Sequence, residues 1–533
     1  MKTFKIISYL FIAALAFVGT SCNDVFEEIT ELETDRLFRP INFESSVNKT
    51  VVTLKWAAVK NAESYTLQIA TDADFSNIVV NETLTTLTYV KELAGSTDYF
   101  ARVRANAKDG KTDSEFNFRL TFRTPAENLF ADYKSFMTAM NAATVRWEPG
   151  TNVTHVAVVL DDAIIAEHSV NETEKAAGVK TISNLANGNY TIRVYNGTYV
   201  RGSVKVVVEG DVYLPAGGDL VAAIAAATAG QVIVLEPGAL YTTGTSTVRF
   251  DKNIKIRGLL PTNLPVIAMA DGGPTATSAM FGFADNATFD YLQFQNVDIT
   301  GYCANVNTNV KIGYIFNNNL MANVGTLSFE NSVVRHMANT PVRLQGNRNQ
   351  IVDNVIFRNT TIHDIGFGST YAIVNSNSAD FFNHVTFDGC TVYNFKGSLV
   401  LRTGQPMGSI TIKNTTVHRG MMDDSQSRYL IDANNSTMSG NITIERSIFG
   451  KAGGALGGNG IRTTAAINVT SSFYTNDFAD DPVAVVTSFS IRKFMSAFNG
   501  SSTDLWTDPN NGDFTLKNAS FAGKGTAGDL RWY

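Results

Sequence analysis

Phe329-Glu330-Asn331-Ser332-Val333-Val334, Phe357-Arg358-Asn359-Thr360-Thr361-Ile362 and Phe387-Asp388-Gly389-Cys390-Thr391-Val392 share one six-residue frame, apolar at both ends. The frame extends back to Phe294-Gln295-Asn296-Val297-Asp298-Ile299. It extends forward to Ile412-Lys413-Asn414-Thr415-Thr416-Val417 and Ile444-Glu445-Arg446-Ser447-Ile448-Phe449, and the successive spacings are 35, 28, 30, 25 and 32 residues. One coil of a parallel β-helix takes about this length, and uneven spacing marks loops of different size. The end positions are expected to point inward. Asn296, Asn331, Asn359 and Asn414 are expected to stack as an internal ladder, each amide bonded to the next coil. A second frame begins at Leu344, Val374, Leu401, Ile431 and Ile461, each followed by polar residues, and reads as another strand leaving the core for a turn.

Upstream, Leu220–Ala227 has the pattern of a short amphipathic helix, followed by strand patterns at Gln231–Leu235 and Ile254–Gly258. This opening resembles the first coil of the pectin-lyase-like right-handed β-helices. The resemblance implies a parallel β-helix over residues 211–533, with a helix hiding the open strand edges of the first coil. The closing stretch, Asp513-Phe514-Thr515-Leu516 to Gly528-Asp529-Leu530-Arg531-Trp532, resembles the end of large Bacteroidota lipoproteins.

Residues 39–125 carry six short alternating runs separated by turn residues, which predict a β-sandwich. Leu54-Lys55-Trp56, Asn61–Ile69 and Leu93-Ala94-Gly95-Ser96-Thr97-Asp98-Tyr99 resemble the tryptophan strand, the next strand and the tyrosine corner of a fibronectin type III module. Thr144-Val145-Arg146-Trp147 and Leu185–Val194 repeat the pattern, so 126–210 reads as a second such sandwich. The expected fold is all-β: two fibronectin type III-like β-sandwiches followed by a right-handed parallel β-helix.

Lys2 and Lys5 precede an apolar run from Ile6 to Val18, and Gly19-Thr20-Ser21-Cys22 follows. A basic start, a run too short to span a bilayer and small closing residues make 1–21 an export signal. Its end resembles a lipobox with Gly19 at the usual aliphatic place, which implies lipidation of Cys22. Residues 22–38 form an acidic tether with Asp24, Glu27, Glu28, Glu31, Glu33 and Asp35. Such a stretch resembles the surface-export signal of Bacteroidota lipoproteins. The implied location is the outer membrane, lipid-anchored and facing outward, among glycan-utilisation proteins.

The formal net charge of −6 argues against nucleic acid as a partner. Three cysteines cannot staple 533 residues, and CxxC pairs and zinc-spaced clusters are absent from the sequence. Cys303 and Cys390 read as buried free thiols.

In a β-helix, equivalent residues of successive coils lie ~4.8 Å apart in columns. Thr300, Arg335, His363, Tyr393 and His418 form one outward column, and Gln345, Asn375, Arg402, Asp432 and Arg462 a second. Resemblance to the β-helix lyases implies a polysaccharide partner and two readings. In one, the columns bind a glycan, with Arg335, Gln345, Asn375, His418 and Arg462 as contacts. In the other, a lyase or hydrolase acts on uronate glycans. Arg402 then neutralises the carboxylate, and His363, Tyr393 and Asp432 serve as acid or base. Arg402, Asp432 and Arg462 can equally form a surface ion ladder. No cofactor or metal is expected. Calcium is poorly supported, because only Asp432 sits in a column while Asp423-Asp424 and Asp480-Asp481 fall in loops. Tyr302, Tyr314, Phe316, Tyr371, Phe381, Phe382 and Phe395 are either core rungs or platforms for sugar rings.

Overall fold

The computed structural model describes residues 35–108, 110–376, 379–404, 406–434, 437–480 and 488–533. The export signal, Cys22 and nearly all of the acidic tether lie outside the described residues, as do Asn377 and Asp481. The chain divides into two compact units, 1–129 with 194–202, and 130–193 with 203–533. The second sandwich, expected as a separate domain, therefore belongs mostly with the β-helix.

The first sandwich sets three antiparallel strands, Glu44–Asn48, Val51–Lys55 and Thr88–Glu92, against a sheet of four, Ile78–Leu84, Ala62–Ala70, Asp98–Ala107 and Leu120–Arg123. Trp56, Tyr65 and Tyr99 are buried in its core. The Tyr99 hydroxyl accepts from the Ala94 amide at 3.0 Å, the expected corner. In the second sandwich Trp147 is fully buried and the Tyr190 hydroxyl donates to the Ala186 carbonyl at 2.9 Å. Its one helix, Glu172–Ala177, was not anticipated, although Asn171 and Glu174 form a capping box.

Among the described residues from Val212 onward the chain coils through three sheets, parallel except where Ser488–Phe489 runs antiparallel to Ile461–Arg462 at the end of the third. The first face stacks ten strands, including Ile254–Gly258, Ala287–Gln295, Ala322–Glu330, Ile351–Arg358 and Phe381–Asp388. The second also has ten, including Val333–Arg335, Thr361–Ile365, Thr391–Phe395 and Thr416–His418. The third has nine, including Thr340–Leu344, Val374–Ser376, Val400–Arg402, Ile431–Asp432 and Ile461–Arg462. The helix Leu220–Ala226 closes the first coil with Leu220 and Ile224, and Asp219 caps its amino end. Glu209 at the end of the second sandwich holds that sandwich to the coils. It accepts from Arg257 Nη1 at 2.8 Å and pairs with Lys255.

The six-residue frame is in register throughout. Phe294, Phe329, Phe357, Phe387, Ile412 and Ile444 are paired in sequence across the first face. The four phenylalanine rings stack with centroids 5.4, 5.0 and 5.2 Å apart, so the ring spacing follows the rung spacing.

The asparagine positions differ from expectation. Asn296, Asn331, Asn359 and Asn414 have φ of 54°, 48°, 49° and 48° and form the corner between the first and second faces. Asparagine is there because it tolerates the left-handed turn. The column is not internal throughout: Asn296 is buried, Asn331 and Asn414 are half-buried and Asn359 is exposed. One amide-to-amide bond runs along it, Asn359 Nδ2 to Asn331 Oδ1 at 3.1 Å. Gly389 occupies the same corner at φ 65°, where a Cβ would lie 2.5 Å from Asn359 Oδ1. The internal polar ladder stands one place later: Ser332, Thr360, Cys390, Thr415, Ser447 and Ser472 are all buried. Ser447 Oγ accepts from the Thr415 amide at 3.2 Å, and Ser472 Oγ from the Ser447 amide at 3.1 Å. Cys390 belongs to this ladder, donates to the Phe357 carbonyl, and has its thiol pushed up to about 12 by burial. Cys303 is likewise buried and free.

Candidate functional site

The first predicted column forms in register, although Thr300 and His418 are fully buried rather than outward. Thr300, Arg335, His363, Tyr393 and His418 are paired rung to rung on the second face. The second column forms only in part: Asn375, Asp432 and Arg462 share it, whereas Gln345 and Arg402 do not. The third face aligns Arg343, Asn375, Leu401, Asp432 and Arg462. Gln345 lies beyond the end of its strand, in the turn after Leu344. Arg402 pairs with Ser376, one place later than read, and a one-residue slip turns a side chain to the opposite side of the sheet. Arg402 is therefore 1% exposed, inside the coil. Its Nη1 donates to Ser376 Oγ at 3.3 Å and its guanidinium lies 5.8 Å from the Phe381 ring centre. Burial lowers its pKa to about 10, which leaves it charged at neutral pH. From this position Arg402 cannot reach a glycan on the surface.

Asn375 is also buried, and its Oδ1 accepts from the Ala372 amide at 3.2 Å. Asp432 and Arg462 form a bidentate pair at 2.8 and 2.5 Å, and Arg462 lies over the Tyr429 ring. This pair is what forms of the expected ion ladder, from which Arg402 is absent. Asp423 and Asp480 are both fully buried. Asp423 is paired with Arg428 at 2.8 Å, and Asp480 with Arg492 at 2.6 Å. Neither is placed as an exposed acid or base.

On the second face, His418 is fully buried, in contrast to its expected role as a contact residue. The C-terminal strands Trp506–Asp508 and Asp513–Leu516 lie over it. Trp506 and Phe514 meet its ring edge to face at 5.9 and 5.7 Å, and Nε2 is 3.2 Å from Asn510 Oδ1. Burial lowers its pKa to about 4. Gly512 reaches the Tyr393 hydroxyl at φ 89°, where a Cβ would lie only 2.5 Å from the phenol oxygen.

The rings left half-buried are Tyr302, His336, His363 and Tyr393, the last with Gly512 and Phe514 packed against it. Tyr302 stacks on His336 at 4.2 Å, and His363 stacks on Tyr393 at 4.9 Å with 6° between the planes. The two imidazoles meet edge to face at 5.3 Å. These rings use their faces on one another, so the ladder offers edges and polar tips rather than open aromatic faces.

His336 and Asp364 hold φ of 61° and 57°, as does Asn394 at 55°, and they form the corner at the end of the second-face strands. This corner carries the main functional feature missed in the sequence. His363 Nδ1 is 2.8 Å from Asp364 Oδ2, and His336 Nδ1 approaches the same oxygen to 3.4 Å. Asn394 Nδ2 donates to the other oxygen, Oδ1. The imidazole and amide partners hold the Asp364 carboxyl below its usual range despite burial. Burial lowers the His336 pKa to about 4, and Tyr393 is raised to about 12, so one imidazole is neutral and the phenol keeps its proton at pH 7. Arg335 is committed to Asp298 at 2.8 and 3.0 Å and to Asn305 at 2.8 Å.

Of the other aromatics, Phe316, Phe382 and Phe395 are core. Tyr314 and Tyr371 flank Arg343 on the third face, with the guanidinium 4.4 Å from the Tyr371 centroid. No helix among the described residues is long and apolar enough to cross a membrane.

Residues 410–532 match a domain of unknown function (DUF5123). This stretch contains His418, the last coils and the strands that cover it. No curated protein matches the chain. Among solved structures, the chain is similar to the FN1-FN3 domains of chicken CNTN1, at 16% identity and a TM-score of 0.15, covering 32% of this chain and 67% of that one. It is also similar to a two-domain fibronectin type III segment of chicken tenascin, at 16% identity and a TM-score of 0.17, covering 31% and 96%.

Proposed function

We propose that the protein binds a polysaccharide along the second face of its β-helix. The observation that supports this reading is the ladder Tyr302–His336–His363–Tyr393, which presents polar-tipped rings at near-rung spacing beside the corner carboxylate Asp364. Repeated rungs suit a repeating ligand, since each sugar can meet an equivalent set of hydrogen-bonding groups. In this reading the chain is a pectin-lyase-like lipoprotein of the Bacteroidota type, anchored at Cys22 in the outer membrane. The sandwiches act as spacers, and the partners are proteins of glycan utilisation. Replacing Cys22 with Ala is expected to release the protein from membranes.

The His363–Asp364 contact favours a second reading, a lyase acting on uronate glycans. A carboxylate that orients an imidazole and a protonated phenol stacked beside it are suited to base and acid roles. With Arg402 inside the coil, neutralisation of the substrate carboxylate falls to other donors, which weakens this reading relative to binding. Both are tested by passing the full chain over immobilised polysaccharides, uronate and neutral, while following ultraviolet absorbance of the soluble forms. Retention without absorbance supports binding. Rising absorbance supports the lyase. Failure to be retained by any member, with no absorbance, contradicts the glycan reading.

A further inference from the structure

We propose that His336, His363 and Asp364 form a binding site for a late first-row divalent metal ion such as zinc. The three donor atoms, two imidazole nitrogens and one carboxylate oxygen, all lie within 4.8 Å of one another. Two imidazoles converge on one oxygen, Asp364 Oδ2, at 2.8 and 3.4 Å. His336 Nδ1 is shielded from solvent and makes no hydrogen bond, so the approach of this nitrogen to the carboxylate is not satisfied within the protein. In tetrahedral zinc sites the ligand bonds are ~2.0–2.2 Å, which places neighbouring ligand atoms roughly 3.3 Å apart. The His336 Nδ1 to Asp364 Oδ2 separation of 3.4 Å already matches that spacing, and His363 Nδ1, at 2.8 Å, has to move outward by roughly half an ångström to complete a three-ligand arrangement with one position open.

The surroundings are those of a built site. Tyr302 and Tyr393 stack against the two imidazoles and restrict their rotation. Asn394 Nδ2 donates to the carboxylate oxygen that faces away from them, the type of outer contact that orients a metal ligand. The left-handed corner places His336 and Asp364 on successive coils, with Arg335 opposite His363 in the register. The donor set also decides the ion. Two imidazoles suit zinc, nickel or copper, whereas calcium takes six to eight oxygens, which this corner does not supply.

This inference goes beyond glycan binding and does not rest on it, because metal is measured without a glycan. The full chain, prepared without a histidine tag, is titrated with zinc chloride and separately with calcium chloride. The expected result is one zinc bound per chain and no calcium at this site. Zinc affinity is expected to fall at least tenfold in both His336→Asn and Asp364→Asn. Asparagine is chosen because it tolerates the left-handed conformation at both positions. Should a variant fail to fold, cobalt replaces zinc in the wild-type chain, where visible absorption of tetrahedral intensity supports the site. Absence of zinc binding, unchanged affinity in folded variants, or a cobalt spectrum without that absorption would overturn it.

Discussion

Arg402 sits inside the coil against Ser376 and Phe381, so its removal is a change to the core. Arg402→Ala leaves a cavity and deprives Asp380 of a nearby positive charge. We expect a loss of about 3 kcal/mol in denaturant unfolding, with glycan retention intact in the folded fraction. Unchanged stability with lost retention would restore Arg402 as a contact residue. His418 carries a pH prediction. Its folded pKa is about 4, against 6.5 for the free side chain. The unfolded chain therefore binds the proton first. The stability that His418 contributes is complete above pH 6.5 and is lost as pH falls through about 4. Asp477 counteracts this depression, while Arg419 and Lys451 reinforce it. The full displacement is worth about 3 kcal/mol. Unfolding of His418→Gln between pH 7 and 4 is expected to show a flatter pH dependence than wild type. Part of the slope remains through His336, whose pKa is also depressed.

At the scale of the strand, the phenylalanine stack is what each coil contributes most uniformly. Phe357 lies between Phe329 and Phe387 at 5.0 and 5.2 Å and is fully buried. Phe357→Ala is expected to cost about 3–5 kcal/mol, measured by thermal or denaturant unfolding. A cost below 1 kcal/mol would mean that the stack is not load-sharing. The same regularity made this face legible in the sequence: an aromatic residue recurs at one position and the strands run eight or nine residues. The third face was misread for a physical reason. Its strands are two to five residues long. Leu399, Val400 and Leu401 are all aliphatic, so a frame placed on Leu401 slips by one from the true inward residue, Val400. Val342 and Leu344 both point inward, so that frame slips by two without any change in pattern. The asparagine column was located correctly but assigned the wrong cause, because a left-handed corner and an amide ladder select the same residue.

For the whole molecule, the sandwiches were legible from Trp56, Tyr99, Trp147 and Tyr190, whose positions depend on local strand patterns. The cover over His418 was not. Asn510, Trp506 and Phe514 return to it from roughly ninety residues further along the chain, and nothing in the alternation of either segment marks that contact. The His336–Asp364 corner was missed for a similar reason, since its members come together only when one coil lies on the next. What remains half-buried rather than covered on the second face is the ring ladder, the surface proposed to bind a glycan. The most direct test is calorimetric titration of the full chain with a polysaccharide that retains it, comparing wild type with the double variant Tyr302→Phe/His363→Phe, which keeps an aromatic ring at each position and removes the polar groups. Tyr371→Phe on the third face serves as the control. At least tenfold weaker binding is expected for the folded double variant, with the control binding as wild type. Equal affinity of the double variant and wild type would contradict it.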